Sequence, residues 1–320
     1  MKRFKAILFV VSNDIPAEVA FERALELAAK NQARLTVVEV IGEIPKRSWT
    51  PRDLQSRIIA DRQQTLEKLV SRIGKNIKVQ PRVLVGISFR EITREVLREG
   101  HDLVIKMASN DDRIDRLFGS DDMHLLRKCP CPVLLLKPGS KKAFRRIIAA
   151  VDVDSHCTPI EQKPRHQLNL EILEIASSLA LAEASELHVT TAWRAIGESM
   201  MQGRFVNATE QDRIEYVEAT KLESEHELNK LVDSLVGKLG QDAIGYLDSY
   251  QQLLKGHASE EIPAFANKIG ADLVVMGTIG RTGISGLFIG NTAETILNRI
   301  DCSVLAIKPP GFETPITLKD

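Results

Sequence analysis

Residues 273–296 read LVVMGTIGRTGISGLFIGNTAETI, and this stretch decides the fold. Its first four residues are a continuous apolar run, which predicts a buried strand ending at Met276. Gly277 and Gly280 follow, then nine intervening residues, and Gly290 opens a helical pattern. Glycines let backbone N–H groups come close to a ligand. The order strand, glycine loop, helix therefore predicts a ligand site at the end of a strand.

The start of this helix is suited to an anion. Gly290, Asn291 and Thr292 fall in its first turn, where unpaired N–H groups and the helix dipole favour phosphate. The pattern lacks the Gly-Lys-Ser/Thr ending of a Walker motif, and its glycine spacing differs from the dinucleotide fingerprint.

A related but altered segment lies in the first half, where residues 104–120 read VIKMASNDDRIDRLFGS. Gly119-Ser120 is kept as a helix start, while residues 106–110 replace the two earlier glycines. Five aspartates lie within this segment or directly after it, at Asp111, Asp112, Asp115, Asp121 and Asp122. Carboxylates repel phosphate oxygens. We expect the first copy to have kept the fold and lost its phosphate site.

The two halves repeat each other in the same order. The matching pairs are Phe4–Asp14 with Phe144–Asp154, Gly86–Val104 with Gly256–Val274, and Cys131–Pro138 with Cys302–Pro309. A polar linker at Pro138–Lys142 separates the copies, which predicts domains at 1–140 and 141–320. The second copy is longer mainly between Ser155 and Leu168, where we expect an inserted loop.

Five short apolar runs in each copy alternate with helical patterns. The predicted strands are about 5–11, 35–41, 80–85, 102–107 and 132–137, then 146–152, 186–192, 248–254, 272–277 and 303–308. Continuous apolar runs are typical of parallel strands buried on both faces. The fold class is α/β, with two tandem doubly wound five-stranded parallel-sheet domains and ligands at the carboxyl ends of the strands. Ser88 and Glu91 predict a capping box at the third helix.

Composition excludes several classes of protein. The 320 residues are 43% hydrophobic and 27% charged, with 43 basic and 43 acidic side chains. Zero net charge argues against a nucleic-acid binder, and abundant apolar residues argue against disorder. Residues 1–140 are basic and the remainder is acidic, which indicates either two docking domains or an anionic partner for the first half.

Targeting signals and cysteine usage favour the cytoplasm. No apolar run approaches the roughly 20 residues of a membrane span. The basic N-terminus precedes Ala6–Val11, which is too short for a signal peptide and predicts a first strand. Four cysteines without a regular framework suit a reducing compartment.

The remaining candidates are isolated. The spacing of Cys129-Pro-Cys131 suggests a metal or redox site, but the sequence offers no second cysteine pair to complete a zinc site. The alternative is that these cysteines are buried and structural. Cys129 would be reactive if exposed. His257 falls at the ligand side of the sheet. We identify no catalytic set and no metal site.

The sequence resembles the universal stress proteins, of the tandem two-domain type, over nearly its whole length. The family's ATP-binding signature is Gly-x2-Gly-x9-Gly-(Ser/Thr), and Gly277, Gly280 and Gly290 match its spacing. The chain departs from it at Asn291, where the family has a hydroxyl residue. In the first copy, Ser12 stands where the second has Asp152.

The resemblance implies an adenine-nucleotide site in the second copy. An aspartate after the first strand would contact the nucleoside, a backbone group near Ala192 the adenine, and the glycine loop the phosphates. Arg281 either adds charge to the phosphate site or is a solvated loop arginine. The implied residues are Val151, Asp152, Ala192, Met276, Gly277, Gly280, Arg281, Gly290, Asn291 and Thr292.

The resemblance further implies a regulatory, non-catalytic protein of the stress response, binding ATP with magnesium and at most hydrolysing it slowly. The alternative is an interaction scaffold or a carrier of another small, partly apolar ligand. An enzyme such as a nucleotidyl transferase comes third. Single-domain family members commonly dimerise through the edge strand, which predicts that Val133–Leu136 and Val304–Ile307 pair within this chain and that the two copies pack as a pseudo-symmetric pair. A homodimer and the protein partners stay open.

Overall fold

The computed structural model describes residues 4–11, 18–45, 47–48, 50–71, 77–109, 118–153, 159–201, 208–239, 246–279 and 289–318. Strands and helices alternate through both copies. In the first copy they are β1 (Ala6–Val11), α1 (Glu18–Asn31), β2 (Arg34–Ile41), α2 (Leu54–Ser71), β3 (Val79–Val85), α3 (Ser88–Glu99), β4 (Leu103–Met107), α4 (Ser120–Lys128) and β5 (Val133–Leu136). In the second they are β6 (Arg146–Ala150), α5 (Pro159–Glu183), β7 (Glu186–Trp193), α6 (Glu198–Met201), α7 (Glu210–Leu239), β8 (Ser249–Lys255), α8 (Ala258–Ile269), β9 (Leu273–Gly277), α9 (Asn291–Arg299) and β10 (Ser303–Ile307).

The described residues form two compact units. The first-copy unit takes its residues from Lys2–Ala143, Gly283–Ile289 and Asp301–Asp320, and the second-copy unit from Phe144–Thr282 and Gly290–Ile300. The first-copy sheet has the order β3-β2-β1-β4-β5-β10. The second-copy sheet has the order β9-β6-β7-β8, and its strands are parallel. The predicted α/β class with mostly parallel strands is confirmed.

The central strands are buried, as their apolar sequences predict. In β1, Ile7, Leu8 and Phe9 have no exposed surface, and in β9 the same holds for Leu273 and Val274. Helices cover both faces of such a sheet, so each of its central strands can be apolar throughout. The burial removes large apolar areas from water, and this is the main stabilising contribution to each core.

Strand β10 leaves its own copy and completes the first-copy unit. It pairs antiparallel with β5 in the register Val304↔Leu135, Leu305↔Leu134 and Ala306↔Val133. At the end of this pairing, the Lys137 N–H donates to Ser303 Oγ over 3.1 Å. The predicted pairing of these two strands is confirmed.

Two local predictions are wrong. The segment between Ser155 and Leu168 is not a loop from Pro159 onward, because α5 begins there and includes Pro164. The capping box is also absent, because the N-cap of α3 is Ile87 and no side chain caps it. Glu91 instead forms an ion pair with Arg94, at 2.7 Å.

Within the part of the chain that the structure describes, no helix is both long and apolar enough to span a membrane.

Candidate functional site

The strand order of the second copy reverses beside β6. Strand β6 lies between β7 and β9, and Ala150 is in register with Thr190 on one side and Met276 on the other. The chain runs from β6 to β7 and β8, then returns to the opposite side of β6 with β9. Ligands of doubly wound sheets bind outside the carboxyl ends of the strands at such a reversal.

The predicted nucleoside residues line this edge. Val151 directly follows β6 and is buried, and its N–H donates to Thr190 O over 3.0 Å. The side chain of Asp152 comes next and is 60% exposed. Ala192 lies one residue before the end of β7, and Gly277 is the last residue of β9. Four of the predicted residues therefore share one edge of the sheet.

The N-terminus of α9 is fastened beside the same strand end. Gly290 is the N-cap residue, and its N–H donates to Thr278 O over 3.0 Å. Asn291 and Thr292 form the first turn and are exposed. No side chain among the described residues caps this end. The first turn is therefore positioned to offer N–H groups to an anion.

Packing alone explains why position 277 is a glycine, without any ligand. A Cβ at this position would lie 2.7 Å from Leu168 Cδ2 on α5. A side chain here would therefore need Leu168 to move. Gly280 and Arg281, which were also predicted to bind the nucleotide, lie outside the described residues.

Two site residues on α5 were missed from the sequence. Asn169 is buried, and its side-chain amide binds both backbone groups of Asp152. Its Nδ2 donates to Asp152 O over 2.7 Å, and the Asp152 N–H donates to Asn169 Oδ1 over 3.1 Å. Arg165 Nη1 lies 3.5 Å from the Asp152 carboxylate, and the arginine side chain is 14% exposed. The site therefore already contains a positive charge beside its aspartate.

A sequence signal for this extension of α5 existed. The helical spacing of Leu168, Ile172, Ile175 and Leu179 places buried residues on one face, and that spacing begins at Leu168, where the segment predicted as a loop ends. Continuing the helical period backwards would have placed Arg165 one turn before Leu168.

His257 lies at this edge, as predicted. It is exposed, and its Nε2 is 2.7 Å from Nη1 of Arg194, which follows β7. Because a guanidinium only donates, the imidazole nitrogen is the acceptor in this contact. A ligand role for His257 stays a prediction.

The equivalent place in the first copy is occupied by a buried ion pair. Lys106 Nζ lies 2.6 Å from Asp122 Oδ1, and the two side chains are 7% and 0% exposed. Lys106 also donates to Ser109 Oγ over 2.7 Å, while the Ser109 N–H donates to Asp122 Oδ2 over 2.7 Å. Burial raises the pKa of Asp122, and the charge of Lys106 opposes that rise. The side chains of Lys106 and Asp122 therefore occupy the N-terminus of α4.

The second copy lacks both charges of this pair. Lys106 is in register with Val10, as Met276 is with Ala150, and Asp122 is the third residue of α4, as Ala293 is of α9. The start of α9 is therefore not neutralised in this way. The predicted aspartates Asp111, Asp112 and Asp115, and also Ser12, lie outside the described residues. Among the residues that are described, no cluster of three metal-binding side chains occurs.

Comparison with known proteins gives a consistent result. The profile of the Universal stress protein family matches residues 3–137 and 143–308. Universal stress protein E of Escherichia coli K12 is 33% identical over 233 residues, which are 72% of this chain and 68% of that protein. The Universal stress protein E homolog of Haemophilus influenzae is 29% identical over 321 residues, which are 96% and 98% of the two chains.

A solved structure is also similar to this chain. The crystal structure of a functionally unknown protein from Pseudomonas aeruginosa PAO1 has a TM-score of 0.64 and 25% identity, and covers 96% of this chain and 93% of that chain.

Proposed function

This chain belongs to the universal stress protein family, and we propose that its second copy binds an adenine nucleotide, ATP or a close relative, as a regulatory and non-catalytic module of the stress response. The observation that carries the proposal is the meeting of Asp152, Ala192 and the first turn of α9 at the strand reversal between β6 and β9. A nucleoside needs a hydrogen-bond acceptor, such as the Asp152 carboxylate, and a phosphate group needs N–H donors, such as those of the first turn of α9.

The difference between the copies supports this proposal. In the first copy, Lys106 and Asp122 neutralise each other at the start of α4. In the second copy, Met276 and Ala293 replace them, so an incoming phosphate meets the helix start without a carboxylate at that position. Arg165 adds a positive charge within reach of the same edge.

Charge placed at the first turn of α9 tests the proposal. Asn291→Asp changes the side chain by one atom, and an acidic residue in a first turn does not destabilise a helix. Two like charges about 4 Å apart near a protein surface repel by about 4 kcal/mol. We therefore expect at least a tenfold loss of affinity for ATP–magnesium, measured by calorimetric titration of the full chain.

The matched control is Ser120→Asp, at the equivalent exposed position of α4. It should leave nucleotide binding unchanged. Asn291→Ser restores the family's hydroxyl and should bind at least as tightly as the parent protein. No binding by the folded parent and by Asn291→Ser together would refute the proposal, and equal losses in both aspartate variants would place the site elsewhere. Phosphate release, followed in the same samples, should stay at most slow.

A second candidate is an interaction scaffold or a carrier of another small, partly apolar ligand. It is favoured by the packing of Leu168 over Gly277, because that glycine then needs no phosphate to explain it. Mass spectrometry of small molecules released from the purified protein distinguishes the two candidates: a retained molecule without a phosphate would favour the carrier.

A further inference from the structure

A pair of thiols lies at the end of α4 in the first-copy unit. Cys129 follows the last residue of this helix, and Pro130 separates it from Cys131. Their Sγ atoms are 3.6 Å apart, both are free thiols, and both side chains are buried. Two sulfur atoms in contact within one short segment are suited to chemistry that a lone cysteine cannot perform.

A buried lysine from the far end of the chain reaches the same place. Continuing the register Ala306↔Val133 by two residues brings Lys308 level with Cys131. Lys308 is 7% exposed, its ammonium donates to Leu126 O in the last turn of α4, and it lies 4.8 Å from the ring centre of Phe312. The lysine ammonium is thus held between the last turn of α4 and Phe312.

These contacts give the two thiols different properties. Burial alone would raise the pKa of Cys129, but hydrogen bonds from Cys131 and the charge of Lys308 bring that pKa below its ordinary value. The hydrogen bond to Cys129 and burial raise the pKa of Cys131. Burial lowers the pKa of Lys308 to about 7. The pKa of Cys129 therefore lies below that of Cys131, and Lys308 is a buried amine at the level of Cys131 in the strand register.

We propose that Cys129 and Cys131 are a hydroperoxide-sensitive modification site: when a local opening at the end of α4 exposes the pair, Cys129 is oxidised first and Cys131 then closes a disulfide with it. In the first step Cys129 gives up its proton, and its thiolate attacks one oxygen of the hydroperoxide. An S–O bond forms and the O–O bond breaks, which leaves a sulfenic acid, and the departing alkoxide or hydroxide takes up the proton that Cys129 released.

In the second step the Cys131 sulfur attacks the sulfenic sulfur. An S–S bond forms, and the sulfenic oxygen leaves as water with the Cys131 proton. In total two thiols give two electrons to one hydroperoxide, and the products are a disulfide, one alcohol or water molecule, and a second water molecule. The sulfurs must approach each other by about 1.5 Å from their present separation.

Peptide mass spectrometry of the native full chain tests this. The protein is exposed to hydrogen peroxide, is then denatured in an alkylating reagent that labels its remaining thiols, and is digested with trypsin. Cleavage after Lys128 and not before Pro138 leaves both cysteines in the peptide 129–141. We expect this peptide without alkyl groups and two hydrogens lighter than the dithiol. Cys302, which is also buried, is the internal control and should stay alkylated.

Variants separate the steps. Cys131→Ser should stop at a sulfenic acid on Cys129, which a cyclic diketone traps. Lys308→Met should slow the oxidation by a factor on the order of ten, because a nearby positive charge favours a thiolate. Lys308→Arg keeps the charge and should recover part of that rate. Thermal melting of each variant shows that it is folded.

Three results would overturn the proposal. The peptide could keep both alkyl groups for as long as circular dichroism shows the protein folded. Cys302 could oxidise as fast as the pair. Lys308→Met, folded, could react at the parent rate.

Discussion

Removing one charge of the buried pair at the start of α4 should destabilise the first copy far more than removing both. In Lys106→Met the carboxylate of Asp122 stays fully buried without its cationic partner. Among the described residues, its remaining hydrogen bond comes from the Ser109 N–H, at 2.7 Å. Breaking a buried ion pair in this way costs about 3–5 kcal/mol. We expect the single variant to lose that much free energy of unfolding.

The double variant Lys106→Met/Asp122→Ala carries the residues that the second copy has at Met276 and Ala293. No charge is then left buried, and the lost partner of the Ser109 N–H costs about 1–3 kcal/mol. The second substitution should therefore restore about 2 kcal/mol, a coupling within the range of contacting residues.

Urea denaturation measures the global effect, and hydrogen exchange of peptides from β4 and α4 localises it, since two units need not unfold together. Acid provides a second check. Loss of Lys106 should raise the pKa of Asp122 further. As the pH falls, the Asp122 carboxylate is protonated and no longer leaves a buried charge. The loss of unfolding free energy in the single variant should therefore become smaller at low pH. A single variant that costs less than about 1 kcal/mol, or a double variant no more stable than the single, would refute the reasoning.

Two further substitutions follow from the backbone and from a buried imidazole. Gly256 has φ +147° and a Cβ there would lie 2.5 Å from Glu261 Oε1, so Gly256→Ala should cost about 1–3 kcal/mol in chemical denaturation. Gly237→Ala, in α7 with nothing within 4 Å, is the control and should gain about 0.5–1 kcal/mol; equal effects would contradict the argument. Burial and the charge of Arg34 lower the pKa of His101 from 6.5 to about 4. Between pH 6.5 and pH 4, His101 is protonated in the unfolded chain but not in the folded chain. The free energy of unfolding should therefore fall by up to about 3 kcal/mol from pH 6.5 to pH 4. His101→Leu should remove that part of the slope in urea midpoints measured across this range, and an unchanged slope would show that His101 does not cause it.

Most of the fold could be predicted from sequence because its signals are local. Each buried parallel strand is an uninterrupted apolar run, such as Leu273–Met276, and the same runs recur in the same order in both copies. The edge of the sheet that carries Asp152, Ala192 and Gly277 followed from the same signals, since parallel strands bring their carboxyl ends to one edge.

The errors occurred where a local signal competes with tertiary packing. The two prolines before Leu168 favoured a loop, but α5 extends back to Pro159 and includes Pro164. Ser88 had the spacing of a cap, yet Ile87 occupies that position. Packing of a helix against its sheet contributes more than one cap or one unfavourable residue.

The sequence by itself determined the duplication, the α/β class, the strands and the edge at which the candidate site lies, because periodicity and glycine spacing are properties of neighbouring residues. Only the tertiary structure decided which charges and thiols come together. Lys106 of β4 reaches Asp122 of α4, Arg165 of α5 reaches Asp152, and the pairing of β10 with β5 brings Lys308 level with Cys131. Such contacts depend on strand register and helix packing between distant segments, and no short stretch of sequence encodes either.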